Sequence, residues 1–283
     1  MTEGTLLRLA AFATDPAGGN PAGVWIGEHL PPPDEMQRIA AEVGYSETAF
    51  LAPDESGRTG AFRVRYFSPL AEVPFCGHAT IASGVALAAR GATGDLALTT
   101  NDGIVMLTVV DDPDGFPRAT LTSVAPWVSD APATLVTGAL ALLSWRSVEL
   151  DPGLPPAIAF AGAKHLVLFV RDLATLQRLA YPFEPMKSLM LEHDLTTLQL
   201  VWREGLASFR ARDPFAVGGV VEDPATGAAA AALGAYLRER GEITAPATFE
   251  IIQGVEMSRP SRITVSIEPG ELGVRVSGNA VPI

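Results

Sequence analysis

Short segments in which apolar and polar positions alternate, or which run apolar throughout, recur along the whole chain. Residues 6–12, 61–67, 103–110, 165–170, 197–203 and 262–267 read as strands on this pattern. Within 61–67, Val64 and Tyr66 fall on one face and Arg63, Arg65 and Phe67 on the other. Turn signals separate the segments: Asp15-Pro16, Asn101-Asp102-Gly103, Asp112-Pro113-Asp114-Gly115 and Glu268-Pro269-Gly270. Many short strands predict curved sheets or barrels rather than a doubly wound fold.

Helical periodicity is rarer. After Pro31-Pro32-Pro33, Asp34 is the expected N-cap of a helix in which Met36, Ile39, Ala40 and Val43 share a face, closing at Gly44. Two further helices are predicted at 78–90 and 224–240. Each has an Ala-Thr pair near its start, is dense in small residues and ends Arg-Gly. A helix that is small and apolar all round is enclosed by other structure. One in each half, set among strands, predicts an α+β fold of two similar lobes, each a curved, barrel-like mixed sheet around a central helix. The lobes are expected to divide near Ser123-Val124-Ala125-Pro126, giving 1–123 and 124–272.

Composition narrows the function classes. The chain of 283 residues is 48% hydrophobic and 18% charged, enough for a large core and too little charge for a disordered chain. A net charge of -12 with no Lys/Arg cluster argues against nucleic acid, because phosphate binding needs clustered cations. Cys76 is the single cysteine, so no intrachain disulfide and no Cys-rich metal site can form. The N-terminus lacks a basic start and an apolar run, and no apolar stretch approaches the about 20 residues that span a bilayer. A cytoplasmic protein without a membrane partner is expected. The four histidines show no ligand spacing with carboxylates, so no metal or other cofactor is expected.

Three stretches place reactive groups where local structure changes. Glu47 opens a strand just after a helix, among apolar neighbours; it is either a partly desolvated acid/base or an ordinary surface carboxylate. In Cys76-Gly77-His78, an imidazole sits at the positive end of a helix, where backbone N–H groups can hold an anion. Cys76 reads as a small buried hydrophobe, with a thiolate activated by the same dipole as the alternative. Asp223, followed by Pro224 at the expected first helical position, reads as an N-cap; its place at the start of the second matching helix raises a functional reading beside the capping one.

Gly18-Gly19-Asn20-Pro21-Ala22-Gly23-Val24 resembles the N-terminal motif of the PhzF-like phenazine biosynthesis family. Ser46-Glu47-Thr48-Ala49-Phe50, Tyr66-Phe67-Ser68-Pro69, Cys76-Gly77-His78-Ala79-Thr80, Glu222-Asp223-Pro224-Ala225-Thr226-Gly227, and Gln253-Gly254 with Arg259-Pro260-Ser261 resemble its later ones, in order. The resemblance implies the diaminopimelate-epimerase-like fold, a last strand near 273–283 that returns to the first lobe, and a homodimer. It implies a cofactor-independent isomerase that shifts a proton on a small cyclic or unsaturated carboxylate. Glu47 would be the general acid/base, assisted by His78 and Asp223. Backbone N–H groups of Gly77, His78, Gly227 and Ala228 would bind substrate, with Asn20, Gly254, Arg259 and Ser261 around it. An epimerase, another proton-transfer enzyme on this scaffold, or a non-catalytic ligand-binding protein are the alternatives. Racemases of this architecture use two cysteines, which one cysteine cannot supply. Ala228 stands where the phenazine enzymes commonly have Ser, which removes a hydroxyl near the substrate.

Overall fold

A computed structural model describes residues 3–113 and 115–283; Asp114 of the expected 112–115 turn and the first two residues lie outside the described residues. Two compact units form, Met1–Thr122 with Ser277–Ile283, and Ser123–Val276.

The first unit runs β1 (Gly4–Ala11), β2 (Asn20–Gly27), α1 (Pro33–Val43), β3 (Glu47–Pro53), β4 (Ala61–Phe67), β5 (Glu72–Val73), α2 (Gly77–Ala88), β6 (Gly94–Thr99), β7 (Ile104–Asp111) and β8 (Pro117–Thr122). The second runs β9 (Trp127–Asp130), α3 (Ala133–Leu143), β10 (Ala157–Phe160), β11 (Lys164–Val170), α4 (Leu173–Gln177), α5 (Phe183–Glu192), β12 (Thr197–Gly205), β13 (Ser208–Pro214), β14 (Glu222–Asp223), α6 (Gly227–Glu239), β15 (Ala247–Gln253) and β16 (Ser261–Ile267). The last strand, β17, spans Arg275–Pro282.

In the first unit the ladder runs β1–β2–β3–β4–β6–β7–β8–β17 and back to β1, a closed barrel of eight strands. Closure leaves no unpaired edge in that ring. The β2–β3 and β4–β6 pairs are parallel, with α1 and α2 as their crossovers. The second unit repeats the order. Here β10–β11, β12–β13 and β15–β16 are antiparallel, and β11–β12 and β13–β15 are parallel.

Both enclosed helices are built for close approach. Every residue of α2 from His78 to Leu87 is buried. A Cβ added at Gly84 would meet Leu107 Cδ2 at 2.7 Å and Ala119 Cβ at 2.9 Å; at Gly234, the equivalent place in α6, it would meet Val274 Cγ1 at 2.8 Å. Small residues therefore set the spacing between helix and wall. Outside the first barrel, α1 places Met36 and Ala40 on Trp25, Phe50 and Phe67. In the second unit, Leu166, Leu168, Leu198 and Leu200 meet Leu135, Ala139, Met186 and Met190 of α3 and α5. With both faces covered, β11 reads as one apolar run.

Helix starts differ from expectation in two places. Pro32 is the N-cap of α1 and Pro33 its first residue, so Asp34 stands in the first turn, where its charge suits the dipole. Helix α6 begins at Gly227 rather than Pro224. Pro disfavours helical backbone in the residue before it, and Asp223 instead pairs in β14 with Asp213.

Candidate active site

Chain geometry around β3 and α2 assembles one cluster. Gly44 ends α1 in the left-handed region, which turns the chain into β3 at Glu47. Across the barrel wall Ala22 of β2 is the register partner of Glu47. Cys76, the extended N-cap residue of α2, puts its sulfur 3.5 Å from Glu47 Oε2 and 3.3 Å from His78 Nδ1. His78, second in the helix, brings Nε2 to 3.5 Å from Glu47 Oε2 and 3.4 Å from Ser46 Oγ. The Glu47 side chain retains 16% of its accessibility and His78 7%, so water is largely withdrawn while a small molecule can still touch the carboxylate. No side chain caps α2, which leaves its first N–H groups, Gly77 and His78 among them, for an anion.

Cys76 is buried, as expected of a small hydrophobe, and its thiol also lies within hydrogen-bond distance of Glu47 and His78. The ligand-type atoms of Glu47, Cys76 and His78 also lie within 4.8 Å of one another, a donor set that could hold a metal. Spacing along the chain hides it because the fold brings together residues 29 apart.

Asp223 belongs to a different set, in the second unit. It does not cap α6; its Oδ2 accepts from Thr226 Oγ1 at 2.7 Å. Gln253 fixes this segment, donating from Nε2 to the Asp223 carbonyl at 2.8 Å and accepting from Thr226 N at 3.2 Å. At Gly254, φ is +74°, and a Cβ would lie 2.4 Å from the Arg259 carbonyl oxygen and 2.7 Å from that of Pro224. Only glycine lets the chain pass so close there. Ser261 is buried and donates to the Arg259 carbonyl at 3.2 Å. Gly227 and Ala228 are the first two residues of α6, again without a side-chain cap. In the first unit, Asn20 is buried on β2, two residues before Ala22.

Sequence reasoning missed four residues behind Asp223. Arg212 donates to both oxygens of buried Glu222, at 2.9 and 2.6 Å, and to the carbonyls of Leu176 and Gln177. Asp213 is fully buried, and that burial, followed by the charges of Asp223 and Glu222, pushes its carboxyl well above the usual carboxylate range. Thr197 Oγ1 reaches Asp213 Oδ1 at 3.3 Å and His165 Nδ1 at 2.8 Å. Burial lowers the His165 pKa to about 3, so the ring is neutral near pH 7. The two units correspond at these places. Thr197 opens β12 as Glu47 opens β3, and Thr226 precedes α6 as Cys76 precedes α2. No helical or strand period marks buried polar positions of this kind.

A repeated β-wrapped helix with an acid, an imidazole and open helix starts defines the class of isomerase- and epimerase-type scaffolds. The chain belongs to the phenazine biosynthesis-like PhzC-PhzF family, whose model matches residues 9–283. It is 30% identical to the trans-2,3-dihydro-3-hydroxyanthranilate isomerase of Pseudomonas fluorescens over 96% of this chain and 95% of that one. It is 34% identical to an uncharacterized isomerase of Deinococcus radiodurans, over 92% and 86%. The crystal structure of a PhzF-family protein from Bacillus anthracis superposes with a TM-score of 0.85 at 26% identity, covering 98% and 96%. A probable proline racemase from Agrobacterium radiobacter shares the fold, with a TM-score of 0.67 at 13% identity over 99% and 91%. Among the described residues, no helix is long and apolar enough to cross a membrane.

Proposed function

We propose that this protein is an isomerase that moves a proton on a small cyclic or unsaturated carboxylate, with Glu47 as general acid/base and His78 and Asp223 assisting. The observation that carries the reading is the largely buried Glu47 carboxylate, within 3.5 Å of both an imidazole nitrogen and a thiol. A carboxylate so placed can take a proton from carbon and return it elsewhere, provided the developing charge is stabilised. The first N–H groups of α2 and α6 supply that stabilisation, through Gly77 and His78 and through Gly227 and Ala228. Asn20, Gly254, Arg259 and Ser261 complete the substrate contacts in this reading. Thr226 in the place that corresponds to Cys76 favours carboxylate over two-thiol chemistry, since a hydroxyl is a far weaker acid than a thiol.

The relatives named as isomerases of trans-2,3-dihydro-3-hydroxyanthranilate make that compound the first substrate to try. Incubation in deuterium oxide, followed by mass spectrometry, reads proton movement directly. Glu47→Gln keeps the shape and removes the base, so deuterium incorporation should fall at least about a hundredfold. A rate within threefold of the unmodified protein would remove Glu47 from this role.

A further inference from the structure

The interior behind Asp223 holds polar groups that the isomerase reading does not use. Asp213 on β13 is the register partner of Asp223 on β14. Directly opposed residues of an antiparallel pair share a face, with Cβ atoms about 5 Å apart. Asp213 is fully buried and Asp223 is 9% exposed. From β12, the Thr197 hydroxyl meets Asp213, and His165 of β11 stands behind it. From the start of α6, Thr226 donates to Asp223, and Gln253 of β15 holds Thr226. Glu222, beside Asp223, is bound by Arg212, which Glu256 approaches at 4.0 Å. The guanidinium of Arg212 is thus occupied by Glu222 and by backbone carbonyls. Among the described residues, Asp213 Oδ2 and His165 Nε2 are buried atoms that make no hydrogen bond.

Two ionised carboxylates on directly opposed residues repel, and more strongly in a buried site than in water. Removal from water adds a larger cost. A pair in this position therefore retains one proton. The Thr226 hydroxyl donates to Asp223 at 2.7 Å and favours its charged form, whereas Asp213 is fully buried, accepts from Thr197 at the longer 3.3 Å and has an Oδ2 with no hydrogen bond. The proton rests mainly on Asp213.

We propose that Asp213 is a positioning residue that stores a proton for Asp223, the two carboxyls sharing one proton across the neutral range. With one proton between them, Asp223 can act as an acid as well as a base near pH 7, where a lone aspartate would stay ionised. When Asp223 delivers a proton, the product pair is a dianion, which regains a proton from substrate or solvent in the return step. The balance closes without a further reactant. This inference rests on the isomerase reading for its catalytic consequence, although the shared proton itself does not.

The test has two independent arms. In intact protein labelled with 13C at aspartate side-chain carboxyls, one buried protonated carboxyl should persist at pH 7 in the carbon NMR and infrared spectra and vanish in Asp213→Asn. Thr197→Val should shift that signal without abolishing it, which also covers the case in which Asp213→Asn does not fold. Absence of the signal at pH 7 in the unmodified protein overturns the proposal. In the deuterium-exchange assay, Asp213→Asn should lose about tenfold or more of its kcat at pH 7.5 and recover part of it towards pH 5, where Asp223 can be protonated from solvent. A loss that is equal at all pH values would mark a structural role only and overturn the catalytic consequence. If the unmodified protein moves no proton on any carboxylate, the isomerase reading fails, and the spectral arm still decides whether the pair shares a proton.

Discussion

His165 and Asp213 illustrate how single buried groups couple stability to pH in opposite directions. His165 takes up a proton near pH 6.5 when unfolded and near pH 3 when folded. Between these values the unfolded chain binds the extra proton, so this residue makes stability rise with pH by up to about 1.4 kcal/mol per unit. Asp213 ionises near pH 4 when unfolded and well above that when folded. Above pH 4 the folded chain binds the extra proton, and stability falls as pH rises. From about pH 4 to 6.5 the two slopes oppose each other. The stability difference between the unmodified protein and His165→Gln, read from urea unfolding, should therefore increase with pH across that window. The same difference for Asp213→Asn should decrease. A parallel pair of curves for either variant would show that the folded group titrates at its ordinary value. Glu47 and His78 were legible in the sequence because each lies in a short motif at a strand or helix start. His165, Thr197 and Asp213 were not, because only the register of β11, β12 and β13 makes neighbours of residues so far apart in the chain.

The enclosed helices α2 and α6 were readable as elements for the same reason that they are vulnerable. Their small residues on every side announce burial, and the strands around them leave no room for more. Helix propensity alone favours alanine over glycine by about 1 kcal/mol at an interior position. At Gly84 the added Cβ would lie within 3.0 Å of side-chain atoms on β7 and β8, and overpacking of that kind costs about 1–3 kcal/mol. Gly84→Ala should then be neutral to destabilising by about 2 kcal/mol, and Gly84→Val more destabilising than either term alone, both read by urea midpoints. A stabilised Gly84→Ala would mean that the barrel wall moves aside readily. The exact starts of α1 and α6 are not legible in the sequence, because an acidic residue beside Pro is a plausible cap there. Which of the two roles it takes depends on whether a strand partner such as Asp213 is waiting.

For the whole molecule, the repeat of helix and strand order is visible as two matching Ala-rich segments, whereas the return of the last strand to the first lobe comes from the family resemblance and not from any periodicity. Closure depends on a segment more than 150 residues downstream of β8, as the Thr120–Ser277 hydroxyl contact at 2.8 Å shows. The strand in question inserts between β8 and β1, with Ala10 opposite Val281 and Ala11 opposite Ala280. Asn279 adds bonds to Asp112 Oδ2 at 2.9 Å and, through its carbonyl, from Phe12 N at 2.7 Å. Removing 277–283 would leave β1 and β8 with facing unpaired edges and uncover the buried Phe12 ring, which lies against Gly278. A chain ending at Val276 should therefore lose the cooperative unfolding of the first unit and aggregate, while amide protons of β11, β12 and α6, which belong to Ser123–Val276, keep their protection from exchange. Adding the peptide 277–283 in trans should restore part of the protection in β1 and β8, because the missing ladder bonds are backbone bonds that do not require chain continuity. Retained protection in β1 and β8 without the peptide would show that the eight-strand ring is not what stabilises that unit.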